Sequence, residues 1–277
     1  MFNLLIQEMR NRRGGMIGWG LGMALMGIMM VALYPSFADS FAGIELPEFY
    51  EVFGDIDDMT SFEGFLDIEF FSWIPIMLGI YALVIGSGTL AGEEDSGTLE
   101  VLLSMPIPRW QLVLVKAVAI AIALMVILLA AGLGLVIGFL SIQGQIETEI
   151  TSPDLVRVMI YTWPMLILWA MMSLFLGAVL PSRRLVNVFM TIVVIAAFFM
   201  DSLGELASQI EALQPYSPFY YFQPRDVLIS GWHSEGMLLL SGMALLFLVL
   251  AIAGFQLRDV TVGAWPWHRF QIPEEYR

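Results

Sequence analysis

Six stretches of this chain are long and apolar enough to cross a lipid bilayer, and no other feature limits the fold as tightly. A transmembrane helix needs about 20 mostly apolar residues to cover roughly 30 Å of hydrocarbon. Gly14–Pro35, Phe70–Ala91, Leu112–Ile142, Met159–Leu180, Leu185–Met200 and Gly236–Leu257 fit that description. The fifth is short by itself, and the third is long enough to tilt or to run past the bilayer. Only Pro181-Ser182-Arg183-Arg184 separates the fourth from the fifth, which makes a tight polar hairpin. The expected fold is therefore an all-α integral membrane protein with six transmembrane helices.

Composition agrees. Apolar residue types make up 58% of the chain and charged ones only 14%, against roughly 25% charged in soluble domains. The first run follows Arg10, Arg12 and Arg13 as a signal peptide would, but it exceeds the usual apolar length and lacks a small-residue cleavage site. It is expected to stay as the first span. No cysteine is present, so disulfides, thiolate nucleophiles and Cys-based metal sites are excluded. The net charge of −14 disfavours a nucleic-acid partner. Eleven of the twelve bases are arginine, a weak pointer to a salt-loving source that genome base composition would equally produce.

The bases orient the spans. Lysine and arginine collect on the cytoplasmic side of membrane proteins. With the N-terminus inside, that side holds Arg10, Arg12, Arg13, Arg109, Lys116, Arg183, Arg184, Arg258, Arg269 and Arg277. The outside holds only Arg157 and Arg225. Both termini are thus expected in the cytoplasm and the protein in the plasma membrane. The Phe37–Glu69 loop carries Asp39, Glu45, Glu48, Glu51, Asp55, Asp57, Asp58, Glu63, Asp67 and Glu69 without a base. It is expected to be a solvated external loop; a cation or partner site is the sharper alternative, although the spacing is not that of an EF-hand.

Chemistry is scarce. The apolar cores of the six spans hold no Asp, Glu, His, Arg or Lys, whereas ion-coupled carriers usually place such a residue at mid-depth. Lys116 lies near the cytoplasmic end of the third span and is expected to snorkel to the interface. His233 and His268 fall outside the spans with no Ser or Asp partner evident, so neither a catalytic nor a metal-binding constellation is expected. A Walker A loop needs Gly-Lys-Ser/Thr, and the sole lysine sits between Val115 and Ala117. ATP hydrolysis is therefore expected only in another polypeptide, and this chain is expected to bind no cofactor of its own.

Local patterns divide the chain further. Residues 1–13 place Phe2, Leu5, Ile6 and Met9 on one helical face against Asn3, Gln7 and Arg10, as in an amphipathic helix lying on the membrane lipids. Residues 14–257 form the six-span domain, and residues 258–277 a cytoplasmic tail. After the fifth span, Leu203, Leu206, Ile210 and Leu213 suggest a second interfacial helix. The aromatic Pro215–Phe222 segment suits the headgroup belt, with a gate over an exit path as the alternative. Gly14, Gly18 and Gly22, and Gly134 with Gly138, have the spacing that lets helices approach closely in lipid. Packing within the bundle is their expected use, and a dimer seam the alternative.

The sharpest segment joins the second and third spans, running Gly92-Glu93-Glu94-Asp95-Ser96-Gly97-Thr98-Leu99-Glu100-Val101-Leu102-Leu103-Ser104-Met105-Pro106-Ile107-Pro108-Arg109. Acids close the second span, and Ser96-Gly97-Thr98 is turn and N-cap material. A short helix follows with Leu99, Leu102 and Leu103 on one side, and Met105-Pro106 stops it. Two apolar-striped turns cannot stand alone in water. They must rest on the spans, on lipid or on a partner.

This loop resembles that of the ABC-2 type permeases, the membrane subunits of ATP-driven exporters. The likeness extends more loosely to the six spans, the N-terminal interfacial helix, the Ser182-Arg183-Arg184 turn and Ser217-Pro218-Phe219-Tyr220-Tyr221. It implies a coupling helix docking on a separate ATP-binding cassette subunit, which holds the ATP and magnesium. Glu93, Glu94, Asp95, Gly97, Thr98, Leu99, Glu100, Leu102, Leu103 and Arg109 would carry that contact. It also implies pairing with a second permease chain, as a homodimer. The cargo expected from spans without charge is hydrophobic or amphipathic. The competing functions are a membrane enzyme or assembly factor without transport, and an ion-coupled secondary carrier.

Overall fold

The computed structural model describes residues 1–41, 61–99, 104, 107–206, 211–232 and 234–257. Helix α1 (Phe2–Phe41) is followed by α2 (Phe62–Leu66), a π-helical turn (Asp67–Phe71) and α3 (Ile74–Thr89). Then come α4 (Ala91–Asp95), α5 (Arg109–Ile142), α6 (Ser152–Val179) and α7 (Arg183–Leu206). Two 3-10 turns (Glu211–Tyr216 and Pro218–Tyr221), α8 (Pro224–Ser230) and α9 (Ser234–Leu257) complete the order. There is no strand among the described residues. Among the described residues six helical segments are long and apolar enough to cross a membrane, with α2, the π turn and α3 acting as one. The protein is an all-α, multi-pass membrane protein.

Local chemistry sets the helix ends. Thr151 and Asp154 form a reciprocal capping box at the start of α6, supplying partners for backbone N–H groups that the first turn leaves open. Leu180 turns to an extended backbone because it precedes Pro181, whose ring disfavours helix at the residue before it. Ser61 Oγ accepts from Gly64 N at 3.0 Å and caps α2. The acids Glu45, Glu48, Glu51, Asp55, Asp57 and Asp58 lie outside the described residues, as do Glu100, Leu102, Leu103, Ile210, His233 and the 258–277 tail.

Several boundaries differ from the sequence expectation. The second span starts at Phe62, so residues 62–69 of the expected solvated loop are helical with Phe62, Phe65 and Leu66 buried. The fourth starts at Ser152 and not Met159. Residues 1–13 do not form a separate segment: α1 runs unbroken for 40 residues, about 60 Å at 1.5 Å per residue. Its first turns dock on α5 through Glu8, which accepts from Lys116, and on α3 through Arg12, which donates to Thr89, so the chain gains by continuing as helix. Phe2 and Ile6, from the expected apolar face, stay exposed, where lipid would cover them, and Phe2 borders an apolar pocket with Leu114 and Val118 of α5. Likewise Leu203 and Leu206 belong to α7, a helix of 24 residues whose membrane-crossing part is Arg183–Gly204. Helical bonds continue through them because no proline or glycine pair interrupts the run.

The bundle is built around α6, which α3 and α9 flank, while α1 lies along α5. Trp169, Tyr161, Leu166 and Leu174 fill its centre. Large apolar side chains also cover the outside, among them Leu21, Leu133, Ile137, Ile192 and Leu245. A helix bundle apolar on both its inner and outer faces has lipid, not water, as its solvent.

Glycines set the closest helix pair. At Gly134 an added Cβ would sit 2.2 Å from the Ala24 carbonyl oxygen, and at Gly138 it would lie 2.9 Å from Val31 Cβ. These two pack within the bundle as expected. Gly14, Gly18 and Gly22 do not: nothing lies within 4 Å of an added Cβ at any of them. They form an open groove beside Trp19 and Met23. The face of α1 that meets α5 instead carries Gly20 and Gly27, because the docking of Glu8 on Lys116 fixes the rotation of the helix.

Candidate functional site

One end of the bundle gathers Arg12, Arg109, Lys116 and Arg183 with the Gly92–Arg109 loop. Here α4 brings the chain out of α3, and a turn at Ser96-Gly97 reverses it. Gly97 has φ of 71°, a left-handed conformation that favours glycine. The Ser96 and Thr98 hydroxyls both donate to the Glu93 carbonyl, at 3.1 and 3.2 Å. Asp95 Oδ2 accepts from the Arg183 backbone N–H at 3.1 Å and so caps the start of α7. The Arg183 side chain lies across Gly88 and Gly92: an added Cβ would come 3.4 Å from its guanidinium at Gly88 and 3.3 Å from its Cδ at Gly92.

Not every residue expected to dock is available for docking. Asp95, Ser96, Gly97 and Thr98 form an exposed tip. Glu94 and Leu99 are buried in the chain itself, 2% and 1% exposed. Leu99 therefore already rests on the spans and is not free to cover a partner. Glu93 turns inward, and Arg109 reaches back to α9, with Nη1 3.4 Å from the Phe255 carbonyl and its guanidinium 5.9 Å from that ring.

Beneath the tip lies a polar cluster that sequence reading missed. Lys116 is fully buried and does not snorkel to the interface. Its Nζ donates to Glu8 Oε1 at 2.6 Å and to Glu93 Oε1 at 2.5 Å. Arg12 Nη2 donates to Glu8 Oε2 at 3.3 Å and to Thr89 Oγ1 at 2.9 Å. Snorkelling fails because α1 and the loop cover the ammonium and supply two carboxylates at closer range than solvent. Glu8 sits four residues before Arg12 and 108 before Lys116, so only the docking of α1 on α5 reveals the pair. Burial pushes the Glu93 carboxyl above its usual range, and the Lys116 ammonium pulls it only part of the way back.

The opposite end is acidic. Asp67, Asp201, Asp226 and Arg225 line a cavity of about 440 Å³ with Phe198, Phe219 and Phe222. The aromatic segment beside it is seated rather than loose. Ser217 Oγ donates to the Ala197 carbonyl at 2.8 Å, and Tyr161 OH donates to the Tyr221 carbonyl at 2.9 Å. Phe219 is buried against Trp169 and Phe198, whereas Tyr216 is exposed as a headgroup-belt residue would be. Among the described residues no group of three or more His, Cys, Asp or Glu is placed to hold a metal.

No curated protein matches the chain significantly. The family described as ABC-2 family transporter protein matches residues 2–260, nearly the whole length. That span takes in all six apolar segments, the buried cluster and the turn above it, and the chain therefore belongs to the ABC-2 transporter family as a membrane permease.

Proposed function

We propose that this chain is the permease subunit of an ATP-driven exporter, energised by a separate cassette ATPase that docks at the basic end. The observation that carries this reading is the exposed Asp95–Thr98 tip, hydrogen-bonded to Glu93 and Arg183 above buried polar contacts in a member of a transporter family. A segment fixed on its inner side and open on its outer side suits a partner that must push on the spans. The ATP and magnesium belong to that partner. A second permease chain would complete the path, as a homodimer, with lipid around both. The cargo is hydrophobic or amphipathic. A cavity of about 210 Å³ between α5, α6 and α9, lined by Val118, Trp163, Pro164 and Leu245 among others, supports apolar handling at the lipid boundary.

Two measurements test this. The chain lacks cysteine, so single probes report cleanly. Ser96→Cys should react with an impermeant thiol reagent only in permeabilised cells, and Gln145→Cys should react on intact cells. That outcome places the basic end, with both termini, in the cytoplasm and the protein in the plasma membrane; the reverse pattern rejects it. For docking, covering Leu102 with the partner would be worth roughly 1.5–3 kcal/mol, and Leu102→Asp forfeits it. Association with the ATPase should weaken more than tenfold, since about 1.4 kcal/mol is one decade. The amount bound is compared per folded permease, and unchanged binding rejects the coupling assignment.

A further inference from the structure

Glu93 faces two ways. Its backbone carbonyl accepts both tip hydroxyls, from Ser96 and Thr98. Its side chain grips Lys116 on α5, and through that ammonium it shares a partner with Glu8 on α1. Arg12 extends the cluster to Thr89, in the last turn of α3. One residue thus joins the exposed tip to three membrane-crossing segments. The charged groups facing Glu93 are Lys116 from α5 and Glu8 and Arg12 from α1. Two acids against two bases leave the cluster neutral, so it is not waiting for a substrate ion.

We propose that Glu93 is a positioning residue, the joint through which displacement of the Asp95–Thr98 tip moves α1 and α5 together. The inference rests on the coupling reading above and goes beyond it by separating transmission from docking. Apolar contacts such as those of Leu99 slide at little cost. A buried ion pair does not, because pulling its members apart strands charge in a medium of low dielectric. The tip therefore drags Lys116 with it instead of sliding over α5, and Glu8 carries α1 along.

Glu93→Gln tests this gently. Lys116 keeps Glu8, so the variant should still fold, with a lower Tm than wild type, and every readout is taken per folded complex. The complex with its cassette ATPase is placed in lipid nanodiscs, with spin labels at Ser72→Cys and Ser202→Cys across the acidic-end cavity. A second pair, Gln7→Cys and Ser96→Cys, reports tip against α1. In otherwise wild-type complex, ADP with vanadate should shift the cavity distance while the tip–α1 distance keeps one narrow population. In Glu93→Gln, ATP hydrolysis should stay within twofold, the tip–α1 distribution should broaden, and the shifted cavity population should fall at least fivefold. A full cavity shift in the variant overturns the proposal. So does a loss of hydrolysis and cavity shift in equal proportion, which is what a merely structural role would give. A wild-type complex without any nucleotide-dependent change rejects the coupling reading first, and unchanged ATPase binding in the Leu102→Asp pull-down does the same.

Discussion

Replacing Lys116 with methionine is expected to destabilise this protein more than any other single change at the basic end. The ammonium is fully buried between Glu8 and Glu93. Removing it leaves two carboxylates facing each other, with only Arg12 as a counter-charge, and that on Glu8. Breaking a buried pair by deleting one partner costs roughly 3–5 kcal/mol. Thermal unfolding in detergent, followed by tryptophan fluorescence, should show a much lower Tm and a reduced folded yield. The loss should shrink as the pH falls. Burial raises the folded-state value of Glu93 above its ordinary 4.5. Its contribution to stability is thus full below that ordinary value and is lost as pH rises through the raised one. Protonated Glu93 needs no counter-charge, so the variant recovers part of its deficit in acid. A Lys116→Met protein as stable as wild type at neutral pH would show that the ammonium is not buried among these acids.

Gly134→Ala is the second large effect. The new Cβ would meet the Ala24 carbonyl oxygen at 2.2 Å and its Cα at 2.5 Å. Both are backbone atoms, so no side chain can swing aside, and α1 must move off α5. Overpacking of this kind costs roughly 1–3 kcal/mol where side chains adjust, and a backbone clash belongs at the upper end of that range. The displacement also pulls Glu8 from Lys116, because both lie along the same helix pair. Gly18→Ala is the control. Nothing lies within 4 Å of its added Cβ, so the Tm of the single chain should not change. Equal losses at the two positions would contradict the placement of α1 on α5.

The Gly18 and Gly134 contrast shows where sequence pattern ends. Both glycines have four-residue small-residue spacing, and either set satisfies the requirement for close helix approach in lipid. Rotation of α1 about its axis turns Gly20 and Gly27 toward α5 and Gly18 away from it, and rotation depends on contacts that no periodicity encodes. Apolar patterning is ambiguous here because residues facing lipid and residues facing protein are equally apolar.

What the sequence determined by itself was everything that hydrocarbon thickness and backbone chemistry dictate. The number of spans, the Pro181 hairpin and the helical class follow from local rules that act along the chain. The family likeness was also legible, because the Gly92–Arg109 turn needs particular residues in order. Tertiary structure alone decided the fate of the charges. Lys116 looked solvated because three segments distant in sequence must meet before it is covered. Glu93 and Leu99 looked like parts of a docking surface, yet they turn inward, while Asp95, Ser96, Gly97 and Thr98 turn out. In a membrane protein the strongest polar contacts form between segments far apart in the chain, since each must find a partner where water is absent. Only the assembled bundle shows which partner that is.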